Sequence, residues 1–278
     1  YTAPGFEERK ISENVWIYPT NTVVKPLYFF NAYKIAKKVL EVGLPSGSPT
    51  SNSLAWLITS QDAFTNVIAL CLKKKFGIPF QAQIHTDFLS PYFKKESLKN
   101  YIRYLLYSRT IKKADCVRVV SERIKASLIS TLHIPLSKVS ILPIFIDVER
   151  IKNYTPTINI HEKYHGYDFI ILMASRVTKE KRIDMACQAI MRVFKEFSKI
   201  QLLIVGDGSL KVQLKKKYGN VLPWQHIVFE DAVPYDTLIS YYKTADLFLV
   251  TSSYEGYGRT IIEALASGKG PDAIFLSQ

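Results

Sequence analysis

Cysteine is scarce in this chain: Cys71, Cys116 and Cys187 are the only three in 278 residues. They are odd in number, far apart and set inside apolar segments. That excludes a disulfide framework and predicts reduced core thiols of a cytoplasmic protein. Long hydrophobic runs are also lacking. No apolar stretch approaches the ~20 residues that span a bilayer, so no transmembrane helix is expected. The opening Tyr-Thr-Ala-Pro-Gly-Phe-Glu-Glu has neither the basic region nor the apolar core of a signal peptide. An initial Tyr in place of Met reads as a fragment or a processed product. Low-complexity segments and sequence repeats are missing too, which leaves ordinary globular domains.

The chain is long enough for two such domains, each able to bury a core, and its 47% hydrophobic and 22% charged residues suit soluble folding. Acidic residues are short in one half. Residues 1–145 hold 20 Lys and Arg against 9 Asp and Glu, whereas residues 146–278 hold 17 against 15. The first half is therefore the one expected to meet something anionic, whether a membrane, a nucleic acid or an acidic acceptor.

Apolar strands alternate with amphipathic helices from Asn14 onward, the pattern of a parallel α/β sheet. Strands are expected at Val15–Tyr18, Trp56–Thr59, Phe80–His85, Cys116–Val120 and within Ile141–Asp147. Helices are expected at Leu27–Glu41, over 63–76 with Asp62 as cap and Gly77 as stop, over 97–112, and after the capping Ser121. Residues 148–167, rich in Asn, Thr and Pro, read as a connection. A second set follows: strands 169–174, 201–205, 226–229 and 246–250, alternating with helices 182–198, 209–218, 235–243 and 258–267. The expected fold is α/β with two Rossmann-like domains whose parallel sheets face a cleft. Residues 1–147 form the first domain, 148–167 the connection and 168–278 the second.

The chemistry concentrates in Thr251-Ser-Ser-Tyr-Glu-Gly-Tyr-Gly-Arg259 and the helix after it, where Ile261, Ile262, Leu265 and Ala266 are spaced to bury one face. Glu255 sits in the turn. Glu263 lies inside the helix, roughly 12 Å further at 1.5 Å per residue. Between them the N–H groups of Gly256, Tyr257 and Gly258 precede a helix N-terminus, which suits an anion. An acceptor at each end of a short polyanion site matches a sugar nucleotide: hydroxyls, diphosphate, then ribose hydroxyls. Arg176 and Lys181 stand in the loop after strand 169–174, where α/β sheets bind ligands, and together they can neutralise a diphosphate. Gly206-Asp-Gly208 opens the helix after strand 201–205, and by itself is no more than a turn. His85 and Asp87 end the strand beginning at Phe80.

Glu255-x7-Glu263 followed by Ala264-Leu-Ala-Ser-Gly268 resembles the paired-glutamate signature of the group 1 retaining glycosyltransferases (family four, two-domain GT-B fold). The resemblance covers most of the chain. It implies that Glu255 contacts the donor sugar and Glu263 the ribose, that Arg176-x4-Lys181 is the donor-phosphate pair, and that Gly206, Asp207 and Gly208 line the cleft beside the donor. His85 matches a histidine that the family places near the donor sugar, so His85 and Glu255 are the catalytic candidates, with Asp87 a further cleft residue. It also implies a metal-independent transfer of a hexose-type sugar with retention, from a nucleotide sugar to an acceptor that many relatives carry on a lipid. No cofactor is expected. Members of the family begin with a further strand and Gly-rich loop, and continue beyond Gly268 with a strand and helices. Both domains therefore read as incomplete, the second replaced after Gly268 by Lys269–Gln278. Domain closure and activity of the chain are thereby in doubt.

Three other patterns bear on function. His161-Glu-Lys-Tyr-His165 has the spacing of a zinc protease motif, but Pro156 and Gly166 leave too little helix for it, and it reads as connection, with no metal. The stretch 88–115 interleaves Lys94, Lys95, Lys99, Arg103, Arg109, Lys112 and Lys113 with Phe88, Tyr92, Phe93, Tyr101 and Tyr104, over an expected core stripe of Leu98, Ile102, Leu105 and Leu106. It reads either as a solvated surface helix or as an interfacial helix on anionic lipid, which would add a peripheral membrane place to the cytoplasmic one. The alternatives to a transferase are a nucleotide-sugar epimerase of the same architecture and a non-catalytic anion- or membrane-binding protein. No nucleic-acid module is recognisable.

Overall fold

The structure, a computed structural model, describes residues 9–12, 15–17, 28–42, 57–219, 226–268 and 273–275. Residues 1–8, residues 43–56 and most of the stretch after Gly268 lie outside the described residues. The chain divides into two compact units. The first is Tyr1–Leu89 with Ser97–Leu142, and the second is Ser90–Glu96 with Pro143–Gln278.

In the first unit, β1 (Arg9–Ser12) and β2 (Val15–Ile17) form an antiparallel pair, so the early strand does not join the parallel sheet. α1 (Tyr28–Val42) follows. A four-stranded parallel sheet in the order of the chain then consists of β3 (Ile58–Ser60), β4 (Phe80–Ile84), β5 (Cys116–Val119) and β6 (Val139–Ile141). Between β3 and β4, α2 (Ala63–Phe76) starts in a capping box formed by Asp62 and Thr65 and ends at Gly77 in the left-handed conformation, φ 69°. Between β4 and β5 come α3 (Pro91–Glu96), which is counted with the second unit, and α4 (Leu98–Ile111), and Ser121 caps α5 (Glu122–Leu132). The strand expected within 141–147 ends at Ile141.

Two expectations about burial are corrected here. α4 buries Asn100, Tyr107, Thr110 and Ile111, whereas Leu98 is 76% exposed and Ile102 is exposed as well. Hydrophobic spacing identified the helix but not its inner face, because that face is set by polar contacts to other elements: Tyr107 donates to the Gln61 carbonyl and Thr110 accepts from Asn66. Cys71 is exposed and Cys116 half-buried, so only Cys187 is a core thiol, its pKa pushed up to about 12 by burial above all.

In the second unit, residues 148–167 are folded rather than a bare connection. α6 (Val148–Asn153) and α7 (Ile160–Lys163) bury Ile151 and Ile160 completely. The sheet that follows is parallel throughout, in the order β11 (Ala273–Phe275), β10 (Leu247–Val250), β7 (Phe169–Ala174), β8 (Ile200–Val205), β9 (Ile227–Glu230). Every residue of β8 is buried, as expected of a strand covered on both faces. One face packs on α8 (Ile183–Val193), with Ile171, Met173, Leu202 and Ile204 against Ala186, Cys187 and Ile190. The other packs Ile170, Leu172, Leu203 and Val205 with Tyr241, Tyr242 and Ala264 from α10 (Tyr235–Thr244) and α11 (Arg259–Ala266). α9 (Lys211–Leu214) leads on from β8.

The stretch after Gly268 supplies β11, which pairs with β10 at Phe248↔Ala273. From β7 the chain winds outward through β8 and β9, then returns to lay β10 on the opposite side of β7. The order reverses between β7 and β10. Loops leaving those two strands therefore flank a topological switch point, where open α/β sheets take ligands. Among the described residues no helix is long and apolar enough to cross a membrane.

Candidate functional site

The loop after β7 holds Arg176 and Lys181, and the loop after β10 holds Glu255. The switch point brings the last two together: Lys181 Nζ lies 2.5 Å from Glu255 Oε1, with side chains only 13% and 28% exposed. Backbone bonds clamp the two loops. The Thr251 hydroxyl donates to the carbonyls of Lys181 and Arg182 at 2.7 and 3.2 Å, and Ser253 N–H donates to the Glu180 carbonyl at 2.8 Å. Thr251 and Ser253 lie in the stretch where the chemistry concentrates, but the sequence assigns neither a role, since a serine or threonine in a turn is ordinary until the loop it holds is known.

Arg176 is 75% exposed, with Nη2 3.0 Å from Glu180 Oε1, which also accepts from the Thr178 hydroxyl at 2.7 Å. It lines a cavity of about 330 Å³ with Ala174, Ser175, Gly206, Asp207, Val233 and Thr260. That cavity lies at the carboxyl ends of β7 and β8 and reaches the first turn of α11. Its mixture of aliphatic wall and cationic edge suits a nucleoside bearing phosphates.

The glycines of Gly206-Asp-Gly208 have a specific reason. A Cβ on Gly206 would lie 2.1 Å from the Ser175 carbonyl oxygen, and one on Gly208 2.4 Å from that of Val177. The two loops touch backbone to backbone, Val177 N–H donating to the Asp207 carbonyl at 2.8 Å. Gly206 also has φ 141°, open to glycine and little else. Gly206→Ala is expected to destabilise the second unit by about 2–4 kcal/mol, through a backbone clash that no rotamer relieves. A melting curve within a degree of the parent would show that the loops can part.

α11 starts at Gly258 (φ 76°) with no side-chain cap; the amides of Ile261 and Ile262 bond the Gly258 carbonyl, and those of Arg259 and Thr260 are left to meet an anion. Its buried stripe is Glu263, Ala264 and Ala266, whereas Leu265 is exposed, correcting the apolar face expected from Ile261, Ile262, Leu265 and Ala266. Glu263 is 2% exposed. Its Oε1 accepts from Arg259 Nε at 2.7 Å and the Tyr235 hydroxyl at 3.2 Å, and its Oε2 from the Tyr242 hydroxyl at 3.3 Å. Burial, then the charge of Glu263, pushes the Tyr242 hydroxyl well above its ordinary pKa, so it stays a donor. Three of the roughly four acceptor positions of the carboxylate are taken, which leaves one for a ligand hydroxyl. These partners were missed because α10 meets α11 only through the crossover.

His85 and Asp87 belong to the first unit and lie just past β4. His85 Nε2 is buried with no hydrogen-bond partner among the described residues. Burial, then the Arg118 charge, lowers its pKa, so the ring is neutral at neutral pH. Asp87 is buried and its Oδ2 meets Arg123 Nη1 at 3.2 Å, an arrangement that holds the loop. His161 and His165 do not share a helix, because α7 ends at Lys163. His161 Nε2 instead meets Asp246 Oδ2 at 3.0 Å.

Residues 157–271 match the family model described as Glycosyl transferases group 1, and residues 57–150 match that of Glycosyltransferase Family 4. Over 98 residues the chain is 35% identical to the alpha-monoglucosyldiacylglycerol synthase of Streptococcus pneumoniae, covering 35% of this chain and 22% of that protein. Over 224 residues it is 24% identical to an uncharacterised glycosyltransferase of Methanocaldococcus jannaschii, covering 76% of this chain and 55% of the relative. The chain thus spans between about a fifth and about half of these relatives. Among solved structures, sucrose-phosphate synthase of Thermosynechococcus elongatus superposes with a TM-score of 0.74 at 18% identity, over 99% of this chain and 69% of the other. That likeness is one of fold, two Rossmann-like units of GT-B type. With residues 57–150 and 157–271 both matched, the chain belongs to the group 1 glycosyltransferases.

Proposed function

We propose that the protein moves a hexose-type sugar from a nucleotide sugar to an acceptor, with retention at the anomeric carbon and without a metal. The observation that carries this reading is the meeting of Lys181 and Glu255 at 2.5 Å, beside the uncapped N-terminus of α11. A cation, helix amides and a carboxylate converge where a diphosphate would join a sugar. In this reading Arg176, Lys181 and the amides around Gly256, Tyr257 and Gly258 take the charge that develops on the leaving diphosphate. Electrostatic stabilisation of that kind is often the largest contribution to such a step. Glu255 faces the sugar hydroxyls, Glu263 offers its remaining acceptor position to the ribose, and neutral His85 orients the sugar.

The acceptor in this reading is lipid-linked. The pneumococcal relative's name includes diacylglycerol. α4 exposes Leu98, Tyr101 and Ile102 beside the exposed Lys99, a mixture that suits an anionic bilayer surface. A peripheral place on the cytoplasmic membrane face follows.

Thermal melts with UDP, GDP, ADP and heparin test the reading. One nucleoside diphosphate at micromolar concentration is expected to raise the melting temperature, and EDTA to leave that shift unchanged. Stabilisation by heparin alone, erased by salt, would mean a polyanion-binding protein. A shift that vanishes with EDTA and returns with magnesium or manganese would overturn metal independence.

A further inference from the structure

A second cavity, of about 340 Å³, shares no residue with the one lined by Arg176 and Gly206. It lies within the second unit, between α3 and the loop that carries Lys181, and its walls include Tyr92, Lys95, Glu96, Lys179, Glu180, Arg182 and Ser253. Its charge is unbalanced. Glu180 is neutralised by Arg176, leaving the cations of Lys95, Lys179 and Arg182 against the single carboxylate of Glu96. That carboxylate accepts from the Tyr254 hydroxyl at 2.6 Å, and Lys179 Nζ donates to the neutral Glu96 carbonyl at 3.2 Å. Among the described residues neither Lys95 nor Arg182 has a side-chain hydrogen bond or ion pair. Arg182 is half-buried, and its backbone is in the left-handed region, φ 49°, ψ 39°, a conformation uncommon for a residue with a Cβ. A half-buried guanidinium without a partner, beside two ammonium groups and one carboxylate held by the Tyr254 hydroxyl, leaves the cavity an excess of positive charge that suits a dianion, and the guanidinium fork suits phosphate oxygens.

We infer that this cavity holds the phosphate of the acceptor, a phosphate monoester or diester whose hydroxyl is the one glycosylated. The inference rests on the transferase reading above. Arg182 follows Lys181 directly and Ser253 lies two residues before Glu255, so a phosphate held here keeps the rest of its molecule next to the residues assigned to the donor sugar. The phosphate could belong to a soluble phosphorylated acceptor or to a phospholipid headgroup, and the chemistry of the cavity is the same for both.

The test compares the parent with Arg182→Gln/Lys95→Gln, which keeps side-chain length and removes both uncommitted cations. sn-Glycerol 3-phosphate is titrated calorimetrically with the donor site filled by the nucleoside diphosphate that stabilises the protein. Sedimentation with phosphatidylglycerol vesicles, against phosphatidylcholine vesicles, supplies the second probe. The double variant is expected to lose at least about tenfold in affinity for glycerol phosphate, while its nucleoside-diphosphate affinity stays within about twofold. Loss with glycerol phosphate alone identifies a soluble phosphorylated acceptor; loss with both probes identifies a headgroup; loss with vesicles alone, which removing two basic side chains from any surface would cause, overturns the inference. Equal binding of both probes by parent and variant, or no binding of either by the parent, overturns the inference. If no nucleoside diphosphate binds at all, the transferase reading falls instead. The glycerol phosphate titration, repeated without nucleotide and with Arg176→Gln as control, still decides whether Arg182 and Lys95 hold phosphate.

Discussion

Lys181→Ala is expected to weaken nucleoside-diphosphate binding by on the order of 1.5–3 kcal/mol, a loss of roughly tenfold to more than a hundredfold. The magnitude follows from burial. Lys181 is 13% exposed, so water does little to screen its charge, whereas Arg176 reaches largely into solvent and its removal should cost less. The structure also gives the partner substitution a distinct sign. Glu255 occupies the ammonium group that a diphosphate would need, so a ligand must displace or share it. Glu255→Gln is therefore expected to bind the free nucleoside diphosphate at least as tightly as the parent, while reducing transfer from the sugar nucleotide. Titration calorimetry of the parent and the two variants separates these outcomes. Unchanged affinity in Lys181→Ala, or a large loss in Glu255→Gln, would place the diphosphate elsewhere.

The second large effect is on stability. Glu263→Ala removes the acceptor shared by Arg259, Tyr235 and Tyr242, and leaves the Tyr242 hydroxyl buried without a partner. The expected loss is about 2–4 kcal/mol: above that of a single hydrogen bond, below that of a fully buried ion pair, because Arg259 can turn to water. In a domain of this size that lowers the melting temperature by roughly 5–15 °C. Glu263→Gln keeps one acceptor oxygen and should fold nearly as well, yet weaken nucleoside diphosphate and sugar nucleotide alike if the ribose uses the fourth acceptor position. Calorimetric melts and paired binding isotherms check both parts. A Glu263→Ala protein that melts with the parent would show that the carboxylate is not a structural hub.

Much of the local structure was legible in the amino-acid order. The Asp62 cap, the Gly77 stop and the Ser121 cap are each written within a few residues, because a helix end is satisfied by its own neighbours. β7 reads as an unbroken apolar run, and β8 does from Leu202 onward, because both faces of that sheet are covered. Periodicity was a poorer guide where one face had to be chosen. Leu98 and Ile102 have the spacing of a core stripe, yet they point to solvent, and α11 buries a glutamate while exposing Leu265. Helical spacing says that residues share a face; what lies opposite that face depends on elements far away in the chain.

The sequence by itself determined the alternation of strands and helices, the loops in which Arg176, Lys181, Glu255 and Glu263 stand, and the family resemblance carried by the last two. Tertiary structure alone decided what those residues touch. Lys181 and Glu255 are 74 residues apart, and they meet because β10 returns to the side of β7 opposite β8. Tyr242 and Glu263 meet because the same sheet face takes both α10 and α11, and Tyr254 reaches Glu96 across 158 residues because Ser90–Glu96 packs with the second unit. The physical reason is range. Capping and periodicity act over one or two turns, whereas a site at a strand crossover is built from contacts whose register is set only once the whole sheet has closed around its core.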